Sequence, residues 1–377
     1  MTQPLKGIKV LDLSTLLPGP MCTLILAEAG ADVIKVERDA GDEMRSYEPR
    51  FGDDSVNFVL LNRGKRSACL NLKAEADRAQ LLELVRDVDI VVEQFRPGVM
   101  KRLGLDYETL SQINPRLIYC SITTYGQHGP KALRAAHDLN FQAETGMLGL
   151  SGDASGAPIV PPTLTGDLAG GTYPAVINIL LALRQRDLDG KGQHLDVSMT
   201  DNLFTLMYWG LGNGWSQGQW PRAGRELVSG GSPRYAIYKT ADDRFLSAAP
   251  LEDKFWATFL SLIEAPQLAD EKDDERIGTE VARIIASRSA DEWMQRFDGH
   301  DVCVSEVVNL EQALQDPHFK ARGLFEREVL NSSGVSMPAL PVPVCAAFRS
   351  DEQRVAAPAL GQHTQQLFDV ATGDSTK

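Results

Sequence analysis

The chain has 377 residues, 43% hydrophobic and 24% charged, with a net charge of −13. At ~100–200 residues per domain, that length predicts two or three domains, and the composition suits a globular chain without long disorder. The acidic balance argues against general binding to nucleic acid or to anionic membranes, each of which needs a basic face.

The apolar run Ala175–Leu183 is interrupted by Asn178. It falls short of the ~20 residues that span a bilayer. Residues 1–10 hold no apolar signal region. Cys22, Cys69, Cys120, Cys303 and Cys345 are scattered without CxxC spacing. Neither a disulfide framework nor a zinc site is predicted. The expectation is a reduced, cytoplasmic protein.

Charge is unevenly spread. Residues 1–102 hold 15 basic and 16 acidic side chains, so the acidic excess lies almost wholly in the remainder. A solvated surface explains such a run of cations. So does a site for a phosphorylated ligand.

In chain order, Lys9–Leu13 (KVLDL) and residues 33–36 (VIKV) read as strands around a helix over 20–29. Pro18 and Pro20 suit a first turn, and Gly30 suits a helix stop. The strand–helix–strand unit predicts a parallel sheet with a right-handed crossover. The pattern recurs as a helix over 74–88, a strand over 89–92, a helix over 107–113 and a strand over 117–122. The first 125 residues therefore read as a doubly wound α/β domain. The turn after the first strand, Leu16-Leu17-Pro18-Gly19-Pro20, lacks G-x-G-x-x-G, which argues against a nicotinamide dinucleotide site.

Residues 151–163 read as a loop. Gly166-Asp167 then opens an apolar helix running to about Arg184, followed by a turn at 190–192, a strand at 194–198 and a helix over 200–209. The Gly- and Trp-rich stretch 210–233 reads as a linker. A hairpin follows, residues 235–240 and 244–249, then helices over 252–263 and 274–287. Ser289 and Glu292 form a predicted capping box for a third helix. The expected divisions are a large domain over 1–209, a linker over 210–233, a small domain over 234–325 and a tail over 326–377 of Pro-rich extended stretches.

His137-Asp138 follows the loop Tyr125–Pro130, Asp167 precedes the apolar helix, and Glu252 lies at a strand–helix junction. A lone histidine often serves structure alone. Asp167 reads equally as an N-cap, and Glu252 as a helix-start acid. No HExxH, GxSxG or P-loop motif is present.

Several longer stretches resemble the family III CoA-transferases, a superfamily that includes the α-methylacyl-CoA racemases. They are GIKVLDLSTLLPGPMCTLILAEAGADVIKVER, NRGKRSACLNLK, EQFRPGVMKRLGLDYETLSQINPRLIYCSITTYGQHGP and TGDLAGG. The resemblance implies an α/β fold: a Rossmann-like large domain, a smaller α+β domain and an interlocked homodimer. It also implies that residues 326–377 form a linker and return to the large domain, and that CoA binds that domain near Leu17, Arg38, Leu70, Lys73, Gln94, Phe95, Arg96 and Arg102. The active site would lie where that domain meets the partner's small domain.

Two chemistries share this family. In the transferases an aspartate, matched by Asp167, carries the acyl group and then CoA. Those enzymes also have a glutamine where this chain has Leu17, and a glycine-rich loop where it has Ala248-Ala249-Pro250-Leu251-Glu252. The racemases have a His-Asp pair, a helix-opening aspartate and a small-domain glutamate, matched by His137-Asp138, Asp167 and Glu252. The stretch GSPRYAIYKTADDRFLSAAPLEDKFW also resembles theirs. Inverting a carbon next to a thioester needs a base on each face. His137 and Asp167 would be that pair, with Glu252 orienting the imidazole and amides of the helix opened by Asp167, or nearby loop N–H groups, meeting the enolate. The expectation is racemisation of a 2-methylacyl-CoA with no metal and no cofactor beyond CoA in the substrate. CoA transfer through Asp167 is the alternative, and acyl-CoA binding without turnover is a third. Apolar Met147, Trp209 and Trp215 suit an apolar acyl chain or plain core packing.

Overall fold

The computed structural model describes residues 3–152 and 155–369. Two compact units emerge. One comprises residues 1–142, 163–206 and 321–377, and the other 143–162 and 207–320.

The first unit is built on six strands: β1 (Lys9–Leu13), β2 (Asp32–Glu37), β3 (Arg66–Cys69), β4 (Ile90–Glu93), β5 (Ile118–Thr123) and β6 (His194–Ser198). Their order is β3-β2-β1-β4-β5-β6, and every pairing is parallel. Both faces of such a sheet are covered, so its central strands are built on apolar runs, while the edge strands are more polar. Val10, Leu11, Val33, Ile34, Ile90, Val91 and Val92 are all buried accordingly. Chain direction across the sheet reverses between β1 and β4. In open parallel sheets that switch leaves a crevice beyond the carboxyl ends of the strands.

Helix α1 (Pro18–Glu28) starts two residues earlier than its pattern predicts, because Pro18 occupies the first helical position. Helices α2 (Glu75–Val85) and α3 (Tyr107–Ile113) cover the opposite face of the sheet. Their Leu81, Val85 and Leu110 join Leu11, Ile34, Val91 and Tyr119 in one core cluster. Strand β3 has no counterpart in the sequence reading, since RSAC offers neither alternation nor an apolar run.

The loop after β1 is held by buried charges. Asp12, Lys35, Asp42 and Lys65 are each at most 4% exposed. Asp12 accepts from Lys65 Nζ at 3.0 Å and from the Ser14 amide at 3.0 Å. Lys35 Nζ donates to the Ser14 carbonyl at 2.9 Å and pairs with Asp42 at 2.8 Å. Asp42 in turn accepts from the Leu16 amide at 3.3 Å. Leu16 needs this grip, since its φ of 61° is left-handed, a conformation that costs a non-glycine residue about 1–2 kcal/mol.

Downstream, the apolar helix runs longer than the sequence suggests. Residues Gly166–Thr172 wind as a π-helix and continue into α4 (Tyr173–Asp189). Together they make 24 residues, long and apolar enough to cross a membrane by length and composition alone. Ala175, Ile179, Ala182 and Leu183 are buried, while Ile177, Leu180, Leu181 and Leu188 are exposed.

The second unit carries an antiparallel sheet of β7 (Ala236–Lys239), β8 (Phe245–Ala248) and β9 (Val304–Glu306). Three helices, Asp253–Leu262, Asp274–Ile285 and Ala290–Phe297, cover its core around Trp256, Phe259 and Trp293. The Ser289–Glu292 capping box forms as its spacing predicts. Two boundaries differ from expectation. Residues 143–162 group with the second unit, and the expected linker 210–233 contains most of a helix, Tyr208–Gln217. Gly210 and Gly214 let that helix pack closely on Pro221 and Trp220, so a glycine-rich stretch that reads as linker is ordered.

Residues 321–369 pack on the first unit. Glu28 binds both Arg63 and Arg327. His363 Nδ1 accepts the Ser67 amide at 3.1 Å, and Thr364 accepts that of Cys69 at 2.9 Å.

Burial raises the Asp12 carboxyl pKa, but Lys65, Lys35 and the Ser14 and Thr23 hydroxyls outweigh it and hold Asp12 well below the usual carboxylate range. A depressed carboxyl stabilises the fold above its unfolded pKa, and that stability is lost as pH falls through the folded one. Asp12→Asn, which leaves Lys65 buried and unpaired, is expected to cost about 3–5 kcal/mol. Urea denaturation near neutrality measures this. The loss of stability on acidification should be shallower in the variant.

Candidate active site

Two neighbouring cavities open at the carboxyl ends of the strands, and Thr15 and Phe95 line both. The larger, about 490 Å³, lies over β1, β2 and the segments after β3 and β4. Arg38, Lys73 and Arg102 supply its cationic rim, and Leu70 and Phe95 its apolar wall. Arg38 is tethered to the Gly41 carbonyl at 3.2 Å and to Glu43 at 3.4 Å. Lys73 and Arg102 have no carboxylate partner among the described residues. A polyanionic ligand with a flat apolar group suits these surroundings.

Helix α1 takes no part in binding such an anion. Pro18 and Pro20 have no N–H, and the Gly19 amide donates to Gln94 Oε1 at 2.8 Å. Helix N-termini ordinarily attract phosphate through free amides. Here side-chain cations must do that work. Gln94, expected as a ligand contact, is committed to α1. Leu17 lines neither cavity and serves as the residue preceding α1.

The second cavity, about 360 Å³, brings together Gln94, Phe95, Arg96, Arg134, His137, Asn140 and Asp167. His137 precedes the helix Asp138–Glu144. Its carbonyl accepts from the Asn140 amide at 2.8 Å, and its own amide donates to Asn140 Oδ1 at 3.0 Å. This reciprocal pair fixes the backbone that carries the imidazole. Asp138 is buried and bonds Gln142, while its Oδ1 accepts the Asp167 amide at 3.0 Å.

Asp167 is therefore not an N-cap. It is the second residue of the π-helix, whose cap position is Thr165. Its amide is spent on Asp138, and that of Leu168 on the Leu164 carbonyl at 3.1 Å. Neither is left for an enolate. The close approach depends on Gly166: a Cβ there would sit 2.2 Å from the Phe141 ring and 2.9 Å from Asp138. Gly170 likewise lets the helix abut the Met199 backbone, where a Cβ would meet the carbonyl at 2.5 Å.

Burial, with the neighbouring Asp138 charge adding to it, pushes the Asp167 carboxyl up to about 7. Near neutrality both of its protonation states are populated, as an acid–base group needs. Glu252 lines neither cavity. It is an exposed residue of the second unit, preceding the helix Asp253–Leu262, and its carboxylate caps nothing. Met147, Trp209 and Trp215 also belong to the second unit and line neither cavity.

Residues 5–364 match the family model described as CoA-transferase family III. The chain belongs to that family. It is 34% identical to α-methylacyl-CoA racemase of Mus musculus over 97% of this chain and 92% of the relative. It is equally 34% identical to acetyl-CoA:oxalate CoA-transferase of Acetobacter aceti, over 97% and 95% respectively. A CAIB/BAIF family protein from Brucella suis superposes with a TM-score of 0.84 at 29% identity, covering 99% of this chain and 100% of that one. An acyl-CoA substrate is consistent with these family relatives, and racemase and transferase names occur at the same identity.

Sequence reasoning missed Asn140 and Arg134 in this family III site. Neither sits in a pattern that marks chemistry, and only the turn into the helix Asp138–Glu144 brings them to the cavity.

Asp138→Asn keeps an oxygen for the Asp167 amide and removes the like charge. The Asp167 midpoint is then expected to fall below about 7, while burial keeps it above the ordinary carboxylate range. Carboxyl ¹³C NMR of aspartate-labelled protein reads this directly. An unmoved midpoint would contradict the electrostatic coupling.

Proposed function

We propose that this protein racemises or epimerises a 2-methylacyl-CoA by 1,1-proton transfer. One observation carries the reading: an imidazole and a carboxyl poised near neutrality, His137 and Asp167, share one cavity that adjoins a larger one rimmed with cations. CoA would lie in the larger cavity, its phosphates met by Arg38, Lys73 and Arg102 and its adenine packed beside Leu70 and Phe95. The thioester would reach past Thr15 and Phe95 into the smaller one.

In the reaction one group takes the α-proton, and the C–H electron pair moves into the thioester as an enolate. The other group, protonated, returns a proton to the opposite face. The free base and the protonated acid exchange roles with the direction of turnover. Asp138, bonded to the Asp167 amide, keeps Asp167 in place and raises its basicity. Glu252 would reach His137 from a second copy of the chain in a homodimer. Its exposed, uncommitted carboxylate and the outward apolar face of α4 support that arrangement.

A second reading is CoA transfer with Asp167 as nucleophile, and the equal identity to the Acetobacter aceti transferase supports it. There the carboxylate would attack the acyl carbon and release CoA thiolate. The thiolate would then attack the aspartyl carbonyl of the mixed anhydride and release the free acid.

The experiment is incubation of a single 2-methylacyl-CoA epimer in D₂O. Wild type should wash deuterium into the α-position and mix the epimers. His137→Ala and Asp167→Asn should each lose on the order of 10²-fold or more, the scale of general acid–base catalysis. Absence of α-exchange in wild type, together with hydroxylamine trapping of Asp167 and CoA transfer to a free acid, would replace racemisation with transfer.

A further inference from the structure

Glu93 closes β4 at the chain reversal in the sheet, and none of the chemistry above uses it. It is 3% exposed. The next three residues serve three surfaces: Gln94 holds the first amide of α1, Phe95 lines both cavities, and Arg96 lines the one with His137 and Asp167. Glu93 Oε2 accepts the Phe95 amide at 2.8 Å, which bends the chain at once after the strand.

Parallel register sets Glu93 beside Ser121 of β5, and Ser121 beside Asp196 of β6. The Ser121 side chain, next to Glu93 in this register, lies with its hydroxyl 2.9 Å from His194 Nε2 and lowers the Glu93 carboxyl pKa. The His194 ring stacks on Tyr107 with centroids 5.6 Å apart, and Tyr119 meets its edge at 5.3 Å. Asp196 accepts the Gln127 amide at 3.0 Å, steadying the loop that leads to His137. A polar chain thus crosses β6, β5 and β4 and ends on the amide of the residue shared by both cavities. Burial foremost, with Asp196 adding, pushes the Glu93 carboxyl up to about 7, against its bonds from Ser121 and the Phe95 amide. Such an acid is retained at a cost in stability, which a purely structural position would avoid by using an apolar side chain.

We propose that Glu93 is a positioning residue for acyl-CoA binding, acting through the Phe95 amide with Ser121 as its anchor. This rests on the reading that CoA occupies the cavity lined by Phe95. Glu93 touches neither cavity. Removing it frees the turn at 94–96, so Phe95 and Arg96 lose their set places while His137 and Asp167 keep theirs.

The test is titration of the full-length protein with free CoA by calorimetry, beside KM and kcat for whichever thioester reaction the wild type performs. Glu93→Ala should weaken CoA binding and raise KM about tenfold, the worth of one net hydrogen bond, with kcat within about threefold of wild type. Glu93→Gln keeps an oxygen for the Phe95 amide and should recover most of the lost affinity. Ser121→Ala should fall between them, and it still reports if Glu93→Ala does not fold. Wild type that binds CoA, with Glu93→Ala binding as tightly, would overturn the positioning role alone. A Glu93→Gln variant as weak as Glu93→Ala would overturn the role of the Phe95 amide. Wild type that fails to bind CoA would overturn the underlying reading and this inference with it.

Discussion

Four buried charges hold the loop after the first strand in place. Asp12 pairs with Lys65 and Asp42 with Lys35, so each charge is neutralised by its neighbour. Such groups are expensive to bury singly and tolerable only as a complete set. They determine the path of Ser14, Thr15 and Leu16, including the left-handed turn at Leu16. Thr15 is a wall of both cavities, so the grip on this loop also sets how the two spaces join. Lys35 and Lys65 belong to the N-terminal excess of cations but are paired inside with Asp42 and Asp12, although Lys35 also reaches the wall of the larger cavity. They are structural counter-charges, unlike Arg38, Lys73 and Arg102 on the cavity rim.

The same loop explains how an anion at this doubly wound sheet would have to be met without a glycine fingerprint. Two prolines strip the helix start of donors, and Gln94 takes the amide that remains. Recognition passes to long cationic side chains on neighbouring segments. These reach further than backbone amides and suit charges spread along an extended ligand. His137 and Asp167 sit one cavity further on, carried by a short helix and a π-wound turn that touch through Asp138. π-Turns are uncommon and concentrate at functional sites. Here the winding and Gly166 bring the Asp167 amide to the Asp138 carboxylate.

Much of the fold could be read from periodicity. Strands β1, β2, β4, β5 and β6 are short apolar runs between turn signals, and the capping box at Ser289 and Glu292 follows from local spacing. Strand β3 escaped because RSAC has no pattern of its own and pairs only at the sheet edge. The stretch 210–233 looked like a linker because glycine usually marks freedom. Its glycines instead permit close helix packing, a property invisible without neighbours. Among site residues, His137, Asp138 and Asp167 stood out by resemblance, and the fold places all three together. The same resemblance points Leu17 and Gln94 toward ligand binding; Leu17 lines neither cavity and precedes α1, whereas Gln94 bonds the Gly19 amide and still lines the smaller cavity.

The sequence by itself determined the parallel α/β architecture, the concentration of cations in the first quarter and the family. All three follow from local patterns: apolar period, charge density and motif order. Tertiary structure alone decided which charges are spent inside and which face a ligand, because pairing joins residues as distant as Asp12 and Lys65. It also decided the state of Asp167. No residue type carries a carboxyl pKa near 7 by itself; burial and the opposing charge of Asp138 create it only once the chain is folded.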